Sequence, residues 1–127
     1  MVVETNLHLG KGIVRGDKFS LRRTVRGVPS GATISGSILT LKSTIATADP
    51  GLFQKSITSS NVAGTGQIEN TGASGVGTIR FDLDDSDTLL MAADTEYFFD
   101  IQVTLSNGDI YTLETGVTSA KAQVTTS

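Results

Sequence analysis

Side chains able to do chemistry are few in this sequence, and most of them are carboxylates. The densest run is Asp82-Leu83-Asp84-Asp85-Ser86-Asp87. Oxygen-rich loops of this kind suit hard cations such as calcium. The spacing departs from a calcium-binding loop: Asp87 stands at the sixth position, where glycine is needed, and Ala93 at the twelfth, where a bidentate glutamate is needed. The run reads instead as a strand end followed by a helix cap, because short Asp and Ser side chains accept from the free amides of a helix start. His8 is the sole histidine and has no acidic or nucleophilic neighbour in its run, so it reads as structural or solvated. Cysteine is absent, which excludes disulfides and thiolate metal sites. The glycines Gly64, Gly66, Gly72, Gly75 and Gly77 do not form G-x-G-x-x-G, and no helix follows them to receive a phosphate. Glycoside hydrolysis would need two carboxyls in a cleft, one with a raised pKa, and no pair here is marked for it. The residues predict no enzyme, no cofactor and no metal.

Charge is distributed unevenly. Up to Gly66 there are eight bases to three acids, and from Gln67 onward two bases to ten acids, for a net charge of −3. The bases are not interleaved with aromatic residues and the balance is acidic, so nucleic acid is not expected as a partner. Two readings remain: outer strand faces that complement one another within the molecule, or a self-complementary assembly in which a basic surface meets an acidic one. Lys11, Arg15, Arg22 and Arg26 are the candidate partner-docking residues.

Positioning falls to strands. In Thr95–Val117, Tyr97, Phe99, Ile101, Val103 and Leu105 occupy every second position, with Asp100, Gln102 and Thr104 between them. A period of two belongs to a strand with one face on a core and one in water. Phe98 is the exception on the wet side. After Ser106-Asn107-Gly108-Asp109 a second run follows, Tyr111, Leu113, Thr115 and Val117. A two-residue Asn-Gly loop would set Thr112 and Glu114 against the apolar face. A three-residue loop, Ser106 to Gly108, pairs Val103 with Tyr111 and Ile101 with Leu113, with Gly108 as the left-handed residue of a bulge. The three-residue loop is expected.

Elsewhere the chain reads as short strands and turns. Thr5 to Leu9 is extended. Lys18 to Arg26 is a strand with Phe19, Leu21, Arg23 and Val25 inward, Arg23 being its awkward member. Ala32 to Ile45 is β-rich but interrupted by Gly36, with Ile34, Leu39 and Leu41 as core candidates and Ile45 as a further one. Leu52 to Ile57 is either strand or irregular chain, and Asn61 to Gly77 is read mostly as loop. Val76 to Leu83 is a strand whose odd residues face the core. One helical turn is expected near 86–92, capped by Asp85 or Ser86. A chain of 127 residues is the size of one domain. No apolar run approaches the ~20 residues of a membrane helix, and the N-terminus lacks the basic-then-apolar pattern of a secretory signal. Around seven short strands without sustained helical periodicity predict an all-β, antiparallel sandwich or small barrel. The immunoglobulin-like sandwich, the commonest solution at this size, is expected, without its Cys/Trp signature and with an extended arm at 1–11 and a tail at 120–127.

Several segments, in order, resemble a known family. Arg15-Gly16-Asp17-Lys18-Phe19-Ser20-Leu21 resembles the "RGD-t-f-x-l" opening strand of the immunoglobulin-like domain at the N-terminus of tailed-phage baseplate upper proteins. Ile34-Ser35-Gly36 with Ile38-Leu39-Thr40-Leu41-Lys42 is similar to that family's "LTG-a-t-v-t-f-x-v-k" element, and Phe53-Gln54-Lys55-Ser56-Ile57-Thr58 to a segment often found after it. The closing part matches best: Asp87-Thr88-Leu89-Leu90, Tyr97-Phe98-Phe99-Asp100-Ile101-Gln102-Val103, Asn107-Gly108, Tyr111-Thr112-Leu113 and Gly116-Val117. It resembles "a-D-T-x-x-L … Y-x-Y-D-I-x-V … d-G-x-x-y-T-L-x-x-G". Together these span about residues 15 to 125. The family's "D-L-T-G" is replaced here by Thr33-Ile34-Ser35-Gly36.

The resemblance implies a non-enzymatic structural protein of the virion, an assembly module at the tail, baseplate or fibre attachment, assembled in the host cytoplasm. Its expected partners are other virion proteins and copies of itself, with no small-molecule substrate and no membrane. Family members carry a coiled or receptor-holding region after this domain, so a free-standing module is expected to act as an adaptor or as a capsid decoration protein. A carbohydrate-binding adhesin is the remaining alternative; it is disfavoured because Trp is absent and the aromatics fall mostly on the inward strand face, whereas sugar platforms need exposed rings.

Overall fold

The computed structural model describes residues 4–8, 13–44 and 51–122, of which 4–8 are described by their backbone. Period-two alternation produces strands wherever it was expected. The elements are β1 (Glu4–His8), β2 (Phe19–Arg26), β3 (Ile34–Lys42), β4 (Phe53–Ile57), β5 (Gly66–Asn70), β6 (Val76–Leu83), α1 (Asp85–Thr88), β7 (Glu96–Leu105) and β8 (Ile110–Ser119). They form a five-stranded sheet in the order β1-β8-β7-β3-β4 and a three-stranded sheet in the order β2-β6-β5. Neighbours pair antiparallel except β1, which runs parallel to β8. This is an all-β immunoglobulin-like sandwich.

The inward faces supply the core. Leu21 and Val25 of β2 and Ile79, Phe81 and Leu83 of β6 lie against Leu39 and Leu41 of β3 and Phe99, Ile101 and Val103 of β7. Ile79, Phe81, Leu39, Leu41, Ile101 and Val103 are fully buried. Each such side chain contributes about 1.5–3 kcal/mol through the apolar surface it removes from water. Ile13, Met91 and Ala120 close one end of this core. Val28 packs against the same cluster, from the loop that follows β2.

The β7–β8 hairpin has the three-residue loop. The Gly108 N–H donates to Leu105 O (2.9 Å), the Leu105 N–H donates to Asp109 O (2.8 Å), and Gly108 takes a left-handed φ of 91°. Val103 opposes Tyr111 as expected, but Ile101 opposes Glu114 and not Leu113. The cause is a β-bulge: Gln102 pairs with Thr112 and Ile101 with Glu114, leaving Leu113 as an extra residue. Beyond it the parity of β8 reverses. Glu114, Thr118 and Ala120 are buried, while Val117 opposes the outward-facing Phe98. The sequence expectation that Thr115 and Val117 continue the face of Leu113 is therefore corrected.

A second irregularity, between Ile34 and Gly36 in β3, lets Ile34 and Leu39 both face the core despite their opposite parity. Two further corrections concern local elements. The Asn61–Gly77 region is mostly loop, as expected, but it also contains β5, whose Ile68 is buried and which the sequence reading does not single out. The helical turn occupies Asp85–Thr88 and its cap is Asp84, one residue before the expected pair. Asp87 Oδ2 accepts from the Asp84 N–H (2.8 Å), the reach-back half of a capping box. Leu89 and Leu90 follow as exposed residues, and Met91 turns inward.

The ends join the sheets where they are described. Glu4 and Thr5 of β1 oppose Glu114 and Thr115, and Lys121 bridges Val14. Ile45 and Lys11 lie outside the described residues.

Candidate functional site

Strand β2 brings most of the candidate docking residues together. Even-numbered positions face outward from the three-stranded sheet, so Arg22 and Arg26 share that face with Ser20 and Thr24. Arg15 lies in the turn that leads into the strand. This turn is latched: Gly16, at a φ of 90°, donates its N–H to Thr88 Oγ1 (3.0 Å), and the Thr88 hydroxyl donates to Asp17 O (2.7 Å). Arg15 Nε donates to Met91 O (2.8 Å). Thr88 is fully buried, so the Arg15-Gly16-Asp17 and Asp87-Thr88 segments, far apart in sequence, dock on each other through one hydroxyl. Arg26 is exposed at the end of β2.

Arg22 is engaged within the molecule. Its Nε–H and Nη2–H donate to the two carboxylate oxygens of Glu69 on β5 (2.5 and 3.0 Å). Arg80 on β6 lies between them, with Nη1 at 2.9 Å from Glu69 and Nε at 3.2 Å from Asp82. The side-chain hydrogen bond from Arg22 is the main cause that holds the Glu69 carboxyl below its ordinary value; the same contact raises Arg22. Lys55 on β4 reaches Asp87 (2.6 Å) and donates to Gly64 O (2.8 Å). Arg23, the awkward inward residue of β2, meets Glu114 at the bulge (2.6 Å). Three of the eight bases of the first half, Arg22, Arg23 and Lys55, thus pair with acids of the second half within one molecule. Apart from these, Asp109 raises the phenol of Tyr111 by its charge, helped by burial and a hydrogen bond.

The carboxylates of the Asp82–Asp87 run diverge. Asp82 turns to Ser20 and Arg80, Asp87 to Lys55 and the helix start, and Asp85 to the Ser86 N–H. Among the described residues, no group of three or more metal-type ligands converges. The divergence has a simple cause: successive strand residues point to opposite faces, and the cap consumes the rest.

One concavity opens on the outer face of the five-stranded sheet. It has a volume of about 350 Å³ and is lined by Thr40, Lys42, Phe98, Asp100, Gly116 and Val117. Sequence reasoning noted Phe98 but missed the groove, because Val117 reaches this face only through the bulge. Its lining carries one ammonium, one carboxylate and two hydroxyl-bearing threonines, Thr40 and Thr115, but no imidazole or thiol. No family model matches the chain, and no curated protein matches it.

Proposed function

We propose that this protein is a non-enzymatic structural subunit of a tailed-phage virion, an assembly module at the tail, baseplate or fibre attachment. The observation that carries the reading is the ordered set of motifs resembling the baseplate-upper-protein domain, set on an immunoglobulin-like sandwich. In this fold two of those motifs, Arg15-Gly16-Asp17 and Asp87-Thr88, are in contact through the Thr88 hydroxyl. That contact holds the entry to β2, a positioning role that suits an assembly module. Such a module works through its surface, with a charged rim that steers docking and a smaller apolar patch that supplies affinity.

The test is where the protein sits. Antibody raised against the purified chain, applied to phage particles from its host, is expected to label the tail tip or fibre attachment. Labelling over the head would transfer the protein to the decoration class. No particle labelling, with the protein free in the lysate, would refute the reading.

A further inference from the structure

We infer that the free edge of β2 accepts an extended acidic segment of a partner protein as an added strand. The strand order β2-β6-β5 leaves one side of β2 without a neighbouring strand among the described residues. Its eight residues pair with β6 in unbroken register, Phe19 with Leu83 through Arg26 with Val76. The other margins differ. β1, β4 and β5 have five residues each, and β1 and β5 also carry register shifts. Short or irregular strands are how sheets protect their edges from unwanted pairing. β2 is long, regular and free of proline, so half of its backbone donors and acceptors form a continuous row along one side.

Charge says what that row admits. Every exposed cation among the described residues lies on β2 or on chain joined to its start: Arg15, Lys18, Arg22, Arg26 and Lys121. Lys121 belongs here because its carbonyl accepts from the Arg15 N–H (2.9 Å). The remaining described cations are half-buried. Lys18, Arg22 and Arg26 recur every fourth residue and so fall on one face, about 13 Å apart at the usual strand rise. Facing acids are few: Asp17 at the start of the edge, Asp82 beside Ser20, and Glu69 bound to Arg22. Arg22 has donors beyond the two Glu69 occupies, and a second carboxylate can share it.

Like charges set opposite one another across a strand pair are destabilising. Two copies of β2 meeting edge to edge would place these cations together, so the edge disfavours its own copy. A strand with carboxylates on alternate residues meets the opposite situation: the backbone row supplies affinity and the cations select. The inference rests on the assembly reading for its setting.

The probe is a short synthetic peptide alternating Glu and Val, titrated into the intact purified protein and followed by fluorescence anisotropy and amide hydrogen exchange. The expected result is binding that weakens with salt, at least about tenfold tighter than for the Lys-Val counterpart, with new protection on β2 amides. Lys18→Glu with Arg26→Glu, both at exposed positions, should abolish the preference while leaving the melting temperature near that of the parent. Absence of binding, binding unchanged by the double variant, or binding without β2 protection would overturn the inference. So would equal competition by duplex DNA, which would mark a general polyanion surface. Particle labelling reports on the assembly reading alone, and this titration on the edge alone.

Discussion

Arg23 and Glu114 join the two sheets from inside, Nε to Oε1 at 2.6 Å and Nη2 to Oε2 at 3.2 Å, with the Glu114 side chain wholly removed from solvent. Their partnership explains two irregularities at once. Arg23 interrupts the apolar face of β2, and the bulge at Leu113 turns Glu114 toward it. A charge so placed is tolerated only with its partner, because the cost of desolvating it is otherwise uncompensated.

Arg23→Met should therefore destabilise the protein by about 3–5 kcal/mol, since it leaves a buried carboxylate unpaired. Arg23→Met combined with Glu114→Leu should recover most of that loss. Urea unfolding of the single and double variants measures both. A single variant costing under about 1 kcal/mol would mean the pair behaves as a surface contact.

Thr118 is buried, and its hydroxyl has no hydrogen-bond partner. Thr118→Val keeps the shape and removes the orphan group, so stability should rise, by up to about 1–3 kcal/mol if the full desolvation cost is relieved. Thermal unfolding decides it. A lower midpoint would show that the hydroxyl is satisfied in solution.

Two glycines of positive φ should respond differently to the same change. At Gly108 (φ 91°) an added Cβ meets nothing within 4 Å, so Gly108→Ala should cost only the conformational penalty of about 1–2 kcal/mol. At Gly66 (φ 126°) the Cβ would lie 2.0 Å from Arg80 O on the paired strand. Gly66→Ala must also push β5 away from β6, and its loss should clearly exceed that of Gly108→Ala in the same denaturation assay.

Glu69 gives a pH dependence whose sign is fixed. Its folded-state pKa lies below the ordinary 4.5, chiefly because Arg22 donates to its charged form. Such a carboxylate stabilises the fold at pH values above 4.5, and the contribution fades as pH falls through the lower, folded value. Wild type should therefore exceed Glu69→Gln in melting temperature at neutral pH, with the gap closing below pH 4.5. A gap that widens in acid would contradict the assignment.

The sandwich was legible because alternation survives in β2, β6 and β7, each buried on one face as its pattern demands. β5 was not, since Ile68 is the single large inward side chain in a glycine-rich stretch and a strand with one anchor has no period to read. The bulge at Leu113 was hidden for a different reason: its justification lies on another sheet. A signal did exist in Arg23, a base on an apolar face, whereas Glu114 gave none, because its alternation with Leu113 placed it on the wet side. Of the candidate docking residues, Arg15, Arg22 and Arg26 fall along one edge as their spacing allows. That Arg22 is already bound to Glu69 depends on β5 lying two strands away, which composition does not reveal.

Leu113 also gives β8 an unusual tolerance for change in length. Thr112 and Glu114 already oppose the consecutive residues Gln102 and Ile101. A deletion of Leu113 would close the strand without reassigning any other partner, at the loss of one buried side chain. Deleting Thr115 instead would turn Thr118 and Ala120 out to water and swing Val117 into the core. A strand with an extra residue thus has an address at which insertions and deletions can accumulate, and the groove beside Phe98 would survive a shortening there but not one two residues on.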